Sequence, residues 1–130
     1  EQEFQAAAKI GFQQAGVAAN RTRLINGHAL DVLPRLADAA YDLIFLDGEP
    51  VDHPRYVIDA VRLLRPGGVV VVNLGDAGYR IPDPEAYDDE AFAAREATRI
   101  IAADENLLPV ILPLGGGLVA AAKAFVPPEQ

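Results

Sequence analysis

The sequence predicts an α/β fold whose mostly parallel sheet ends in an antiparallel hairpin. Short apolar runs at Leu43 to Leu46 and Val69 to Val72 have the length and the branched residues of strands buried on both faces of a sheet. Helical patterns alternate with these strands, as they do in parallel sheets. Two further strand candidates, Leu107 to Leu112 and Leu118 to Ala122, are joined by a Gly-rich turn too short for a crossover.

The first third of the chain predicts a helix, a strand and a second helix. Glu1 to Ala15 carries apolar residues at spacings of three and four, and Gly16 stops that helix. Arg23 to Asn26 is a short strand candidate. The next helical pattern runs over residues 29–36, and Pro34 weakens its middle.

The remaining elements follow from turn residues and apolar spacing. A helix is expected from His53 or Pro54 onward, ended by Pro66-Gly67-Gly68 before the second buried strand. Residues 75–89 predict a long loop of the kind that often covers a site, and a helix is expected within 85–104. Residues 1–125 are therefore expected to form one partial domain, with residues 126–130 as a loose tail.

Composition excludes several classes of partner. The 130 residues are 51% hydrophobic, enough for a real core, and carry a net charge of -8 that opposes binding to nucleic acid or anionic membranes. No cysteine, membrane span or signal peptide pattern is present, so the default compartment is the cytoplasm. The chain also contains no methionine, which suggests that it is not the whole gene product.

Asp47 is the first candidate for a functional residue. It is the last residue of the stretch Tyr41 to Asp47, directly after the apolar run Leu43 to Leu46, and Gly48 releases it into a loop. Ligands of open α/β sheets bind outside the carboxyl ends of the strands, so this acid points at the predicted crevice. The alternative is that Asp47 only caps a turn or the following helix.

Six segments, spread in chain order over nearly the whole chain, match one known family. They are Ala15-Gly16-Val17, Gly27 to Leu30 with Leu33-Pro34, Tyr41 to Asp47, Arg55-Tyr56, Leu63 to Gly68, and Leu112-Pro113 through Gly117-Leu118 to Lys123. Together they resemble the class I S-adenosylmethionine-dependent O-methyltransferases of the catechol and caffeoyl-CoA type. Methyltransferase sheets, unlike dehydrogenase sheets, also end in a hairpin of this kind.

The resemblance implies which residues contact the cofactor, S-adenosylmethionine. In the family, the turn matching Gly27, His28 and Ala29 borders the adenine, although His28 is equally well explained as an exposed turn histidine. The acid matching Asp47 lies beside the methionine end of the cofactor and a divalent metal. Gly48 and Glu49, in the same loop, are further expected cofactor contacts.

The resemblance also implies metal ligands and a base, and here the chain departs from the family. The second buried strand of the family ends in Asp-Asn, where this chain has Val72-Asn73. Asp47 and Asn73 alone form a thin ligand set for Mg²⁺ or Ca²⁺, so a weak or absent metal is expected unless Glu49, Asp52 or Asp76 completes it.

A lysine of the family that helps to deprotonate the acceptor is replaced by Pro50. His53 is a candidate general base in its place, because an unperturbed imidazole titrates near working pH. An Asp-His-Pro helix start, however, needs no chemistry to explain it.

The function implied is methyl transfer from S-adenosylmethionine to a hydroxyl of a small molecule, by a cytoplasmic homodimer. The alternative is a non-catalytic relative that serves as a binding or dimerisation module. The family's Gly-rich cofactor loop precedes the helix that opens this chain, and Gly115 to Gly117 cannot replace it. A nicotinamide-binding domain fits poorly, because no Gly fingerprint follows any strand.

The same comparison predicts a gap in the sheet. The family's cofactor-loop strand and its successor lie between the strands matching Arg23 to Asn26 and Tyr41 to Asp47, and neither is present in these 130 residues. Buried backbone groups left unpaired cost about 1 to 3 kcal/mol each. We therefore expect either a visible gap or a natural product with a further amino-terminal segment.

Overall fold

The computed structural model describes residues 1–125, which divide into two compact units. The first unit is Glu1–Val32, and the second begins at Leu33. The predicted loose tail, residues 126–130, lies outside the described residues.

The first unit is built around one helix. Helix α1, Gln2–Gln14, has no buried residue, and Gly16 follows it in a left-handed conformation with φ 75°, as expected of a helix stop. The predicted strand at Arg23 to Asn26 is wrong for this structure, because the segment pairs with no strand among residues 1–125. A strand exists only where a neighbour satisfies its backbone N–H and C=O groups. Helix α2 is short, Ala29–Val32.

The second unit contains one four-stranded sheet in the order β1-β2-β4-β3. Strands β1 and β2 are parallel, and β4 is antiparallel to both of its neighbours, which confirms the predicted α/β fold with a carboxyl-terminal antiparallel hairpin. The strands are Tyr41–Leu46 (β1), Leu64–Asn73 (β2), Leu107–Leu112 (β3) and Leu118–Lys123 (β4). Strand β2 therefore begins earlier than predicted and runs through Pro66-Gly67-Gly68.

Three helices belong to the second unit. A 3-10 turn at Leu33–Arg35 precedes them, because Pro34 cannot donate to a longer helix. Asp88 caps the last helix by accepting the Ala91 N–H at 3.4 Å, so that helix begins at Asp89, inside the predicted range of residues 85–104. The helices are His53–Leu63 (α3), Ala77–Arg80 (α4) and Asp89–Ala103 (α5).

The core lies on one face of the sheet, between β2 and β4 on one side and α3 and α5 on the other. The largest fully buried apolar side chains there are Val57, Leu63, Leu64, Val70, Val72, Ile101 and Val119. Lys123 supports this packing, since its Nζ donates to the carbonyls of Val61 and Leu64, both at 2.8 Å, and so caps the end of α3.

The opposite face of the sheet is largely uncovered, so the prediction that two strands are buried on both faces is wrong. Strand β1 is the edge of the described sheet, and Leu43 and Phe45 are 63% and 55% exposed. In β2, Val70 and Val72 are fully buried, whereas Val69 and Val71 on the other face are only half-buried. Side chains of a strand alternate between faces, and helices of the second unit cover only one of them.

Candidate functional site

Asp47 and Asn73 meet where two parallel strands end. Asp47 follows β1 and Asn73 is the last residue of β2, so both emerge at the same edge of the sheet. The Asn73 Nδ2 donates to Asp47 Oδ1 at 2.9 Å, and Asn73 Oδ1 accepts the Gly75 N–H at 3.0 Å. The Asp47 side chain is exposed, so a carboxylate held by an amide faces the solvent at this edge.

The loop that carries Asp47 rests on Tyr56. A Cβ added to Gly48 would lie 3.3 Å from the Tyr56 ring, closer than most real contacts, so the glycine lets the loop approach the aromatic side chain. The buried Tyr56 hydroxyl lies 3.5 Å from Asp52 Oδ2, and burial together with Asp52 raises the pKa of Tyr56. Tyr56 thus supports both ends of the loop between Asp47 and α3.

His53 lies beneath this loop and is 1% exposed. Its Nε2 is buried and has no hydrogen-bond partner among the described residues. Burial lowers the pKa of His53, although the Gly48 backbone and the carboxylates of Asp47 and Asp52 act in the opposite direction. A general base must reach the proton that it removes, so a ring closed off from solvent supports a positioning role more than the predicted base.

The side chain of Val72 faces the core, away from the edge where the expected metal ligands Asp47 and Asn73 meet. Val72 is fully buried on the core face, while Asn73, the next residue, is on the opposite face. A carboxylate at position 72 would therefore enter the core and not the edge where Asp47 lies. Among residues 1–125, no group of three or more His, Cys, Asp or Glu side chains is placed to hold a metal ion. Glu49, Asp52 and Asp76 therefore do not complete such a group with Asp47.

The family is decided by comparison with known proteins. A family profile described as O-methyltransferase matches residues 1–124. The chain belongs to the O-methyltransferase family. This result confirms the family that the six sequence segments resemble.

Individual relatives of this O-methyltransferase chain agree. A Mycolicibacterium smegmatis protein named as a candidate O-methyltransferase is 54% identical over 123 residues, which cover 95% of this chain and 59% of the relative. A Mycobacterium avium protein with the same kind of name is 53% identical, with coverage of 95% and 55%. The chain thus spans a little more than half the length of the curated relatives that it matches.

Solved structures share the fold. A protein from Corynebacterium glutamicum is 36% identical, with a TM-score of 0.91 over 99% of this chain and 60% of that one. The O-methyltransferase TomG of Streptomyces achromogenes, involved in tomaymycin synthesis and solved in complex with S-adenosylmethionine, is 30% identical. Its TM-score is 0.84 over 96% of this chain and 59% of TomG.

The turn predicted to border adenine belongs to the first unit. The ring of exposed His28 accepts the Leu30 N–H at 3.3 Å through Nδ1, and its carbonyl accepts the Asp31 and Val32 N–H groups of α2. A Cβ added to Gly27 would lie 2.9 Å from a methyl of Val32. Both residues therefore have a local structural role, and the contacts of Gly27, His28 and Ala29 with a cofactor stay predictions.

Sequence reasoning missed how the loop after Asn73 is fixed. Arg95 of α5 donates to four backbone carbonyls of this loop, at 3.0 Å to Ile81, 2.7 Å to Ala86, 3.0 Å to Arg80 and 2.6 Å to Asp83. The sequence signal for this role is an arginine at position 95, which lies on the same helix face as buried Ala91, one turn earlier. The guanidinium thus ties together carbonyls spread over residues 80–86, two of which, those of Arg80 and Asp83, also accept N–H groups of the loop itself.

The glycines of the hairpin turn have a packing role that the sequence did not reveal. A Cβ added to Gly116 would lie 1.6 Å from the Gly75 oxygen, and one added to Gly78 would lie 1.9 Å from the Gly116 oxygen. The Tyr79 hydroxyl donates to the Gly115 carbonyl, and the Leu74 N–H donates to Gly117 at 3.0 Å. The turn is thus locked against the loop after Asn73.

A small apolar cavity of about 210 Å³ adjoins this locked loop. It begins at Leu74, the residue after Asn73, and its lining side chains are apolar except for one threonine, whose hydroxyl is bonded to its own helix. The lining residues are Leu74, Gly78, Ile81, Pro82, Thr98, Ile111, Gly117 and Val119.

Proposed function

We propose that the protein to which this chain belongs is an S-adenosylmethionine-dependent O-methyltransferase that acts on a hydroxyl of a small molecule. The single observation that carries the proposal is the Asp47–Asn73 pair at the carboxyl ends of adjacent parallel strands, in a chain of the O-methyltransferase family. The complex of TomG with S-adenosylmethionine supports the choice of cofactor.

In this proposal, Asp47 holds the methionine end of the cofactor. Its exposed carboxylate would pair with the ammonium group, and the Asn73 amide fixes the direction in which that carboxylate points. Gly48 and Glu49 provide further contacts from the same loop. S-Adenosylmethionine supplies an activated methyl group, which the acceptor oxygen attacks in line with the departing sulfur.

Catalysis by this arrangement rests mainly on positioning. The loop of Asp47 is supported by Tyr56 and His53, and the loop after Asn73 is held by Arg95, so both sides of the proposed site are pre-organised. Well-oriented reactants gain much of their rate from such placement. His53 is assigned here to positioning, and the acceptor proton passes to solvent or to a base carried by the acceptor.

The proposal extends to location and assembly. Among residues 1–125, none of the helices has the length and apolar character that a membrane span requires. The acidic charge of -8 supports a cytoplasmic enzyme without a nucleic acid or membrane partner. The exposed Leu108 and Val110 of edge strand β3 support a homodimer, which sedimentation of the purified protein would test.

Calorimetric titration of the full-length protein with S-adenosylmethionine tests the function. We expect saturable binding, weakened ten- to a hundredfold by Asp47→Asn, since a lost charged hydrogen bond costs about 1.5 to 3 kcal/mol. Glu105→Gln, which removes an exposed acid from the turn before β3, should leave the affinity unchanged. No binding by the folded wild-type protein would reject the proposal in favour of a non-catalytic binding or dimerisation module.

A further inference from the structure

We infer that the Asp47–Asn73 pair works without a divalent metal, because the Asn73 amide nitrogen occupies the position that a cation would need beside the Asp47 carboxylate. The role of this metal-free pair in methyl transfer rests on the proposed function. Whether the pair binds a cation can be tested without knowing the acceptor.

The orientation of the Asn73 amide is fixed by a backbone donor. The Gly75 N–H can donate only to an oxygen, and it lies 3.0 Å from Asn73 Oδ1. The amide nitrogen must then face Asp47, and it does so at 2.9 Å from Oδ1. A hard cation needs oxygen ligands, so an N–H donor on this carboxylate competes directly with the metal.

The surrounding charges do not restore a metal site. With Asn73 neutral, the pair carries one formal negative charge. The described part of the chain offers no set of three or more His, Cys, Asp or Glu side chains placed to hold an ion. The neighbouring strand position, Val72, is buried in the core and Leu74 is only 4% exposed, so neither flanking residue faces the edge as a ligand would.

One consequence concerns the acceptor. A metal in such a site would hold two adjacent oxygens of the acceptor and lower the pKa of the reacting hydroxyl. The Asp47–Asn73 pair offers instead one carboxylate whose partner is an amide. An acceptor with a single hydroxyl then suffices.

Asn73→Asp is the decisive variant, because it changes one atom group and keeps an oxygen for the Gly75 N–H. Two carboxylates about 3 Å apart repel each other unless a cation lies between them. We therefore expect the full-length Asn73→Asp protein to have a lower melting temperature at pH 7. Added MgCl₂ or CaCl₂ at 1–10 mM, concentrations of the order at which weak carboxylate sites fill, should restore that temperature. Asn106→Asp, the same change at an exposed position, should show no such response.

Calorimetry of the wild-type protein completes the test. Titration with MgCl₂ or CaCl₂ should give no saturable heat, while Asn73→Asp should gain a site at least tenfold tighter. Saturable wild-type binding that Asp47→Asn abolishes would overturn the inference. So would a folded Asn73→Asp protein that neither loses stability nor gains affinity for the cation. The S-adenosylmethionine titration is a separate measurement, so a failure of the proposed function is distinguished from a failure of this inference.

Discussion

Arg95 should be the side chain on which the order of the loop after β2 depends most. Its guanidinium donates to the carbonyls of Arg80, Ile81, Asp83 and Ala86. Each such bond contributes about 0.5 to 1.5 kcal/mol net, and more where the donor is charged. The loop carbonyls regain water once the loop loosens, so we expect Arg95→Met to cost about 2 to 3 kcal/mol, toward the lower end of the range for four bonds.

The experiment compares Arg95→Met with a matched arginine on the same helix. Arg99, one turn further along, is exposed and among residues 1–125 pairs only with Glu96, so Arg99→Met should leave the stability unchanged within error. Urea unfolding of the full-length variants gives the free-energy change, and hydrogen exchange over residues 80–86 shows whether the loop is the part that opens.

Arg95→Lys separates charge from geometry. Lysine keeps the positive charge and a long apolar stem, but it lacks the planar fork that reaches several carbonyls at once. We expect it to recover less than half of the loss caused by Arg95→Met. Equal destabilisation by Arg95→Met and Arg99→Met, or unchanged exchange over residues 80–86, would refute the reasoning.

Three further outcomes follow from single contacts. Gly116→Ala should lower the free energy of unfolding by more than about 3 kcal/mol or prevent folding, because its Cβ would overlap a backbone oxygen. Gly115→Ala meets open space and should lower it by only about 1 kcal/mol, because its φ is 56°. Equal losses of stability in urea unfolding would contradict this. Lys123→Met should cost about 1 to 3 kcal/mol by uncapping α3, and a wild-type melting curve would count against it. His53 has its pKa lowered in the folded protein, so the unfolded chain binds the proton more readily and stability should fall as the pH drops below about 6.5. His53→Leu should flatten that dependence and His28→Leu should not; the same slope in both variants would dismiss the explanation.

The sequence predicted the elements that local chemistry determines. The helix stop at Gly16, the weak helix around Pro34 and the hairpin of β3 and β4 follow from residue types whose backbone preferences act over a few positions. Helix α5 lies within the predicted window of residues 85–104, and its exact start is defined by the Asp88 cap, which depends on where the preceding loop leads the chain.

Burial was predicted less well, since it depends on neighbours distant in sequence. The apolar run of β1 correctly indicated a strand, but Leu43 and Phe45 are exposed at the edge of the described sheet. An apolar pattern reports what a strand is suited to pack against. It does not report which layer covers each face, and the same limit applies to Arg23 to Asn26, which has no partner strand in the part of the chain that the structure describes.

The Asp47–Asn73 pair shows where prediction from sequence ends at the candidate site. That the two residues meet follows from topology alone, because parallel strands deliver their carboxyl ends to one edge. Which atom of Asn73 faces Asp47 depends on the Gly75 N–H, a backbone group whose direction only the folded loop defines. That direction decides between an oxygen ligand and a hydrogen-bond donor beside the carboxylate. On the inference that the pair works without a metal, the turn after β2 matters as much for metal dependence as the identity of the residues at the strand ends.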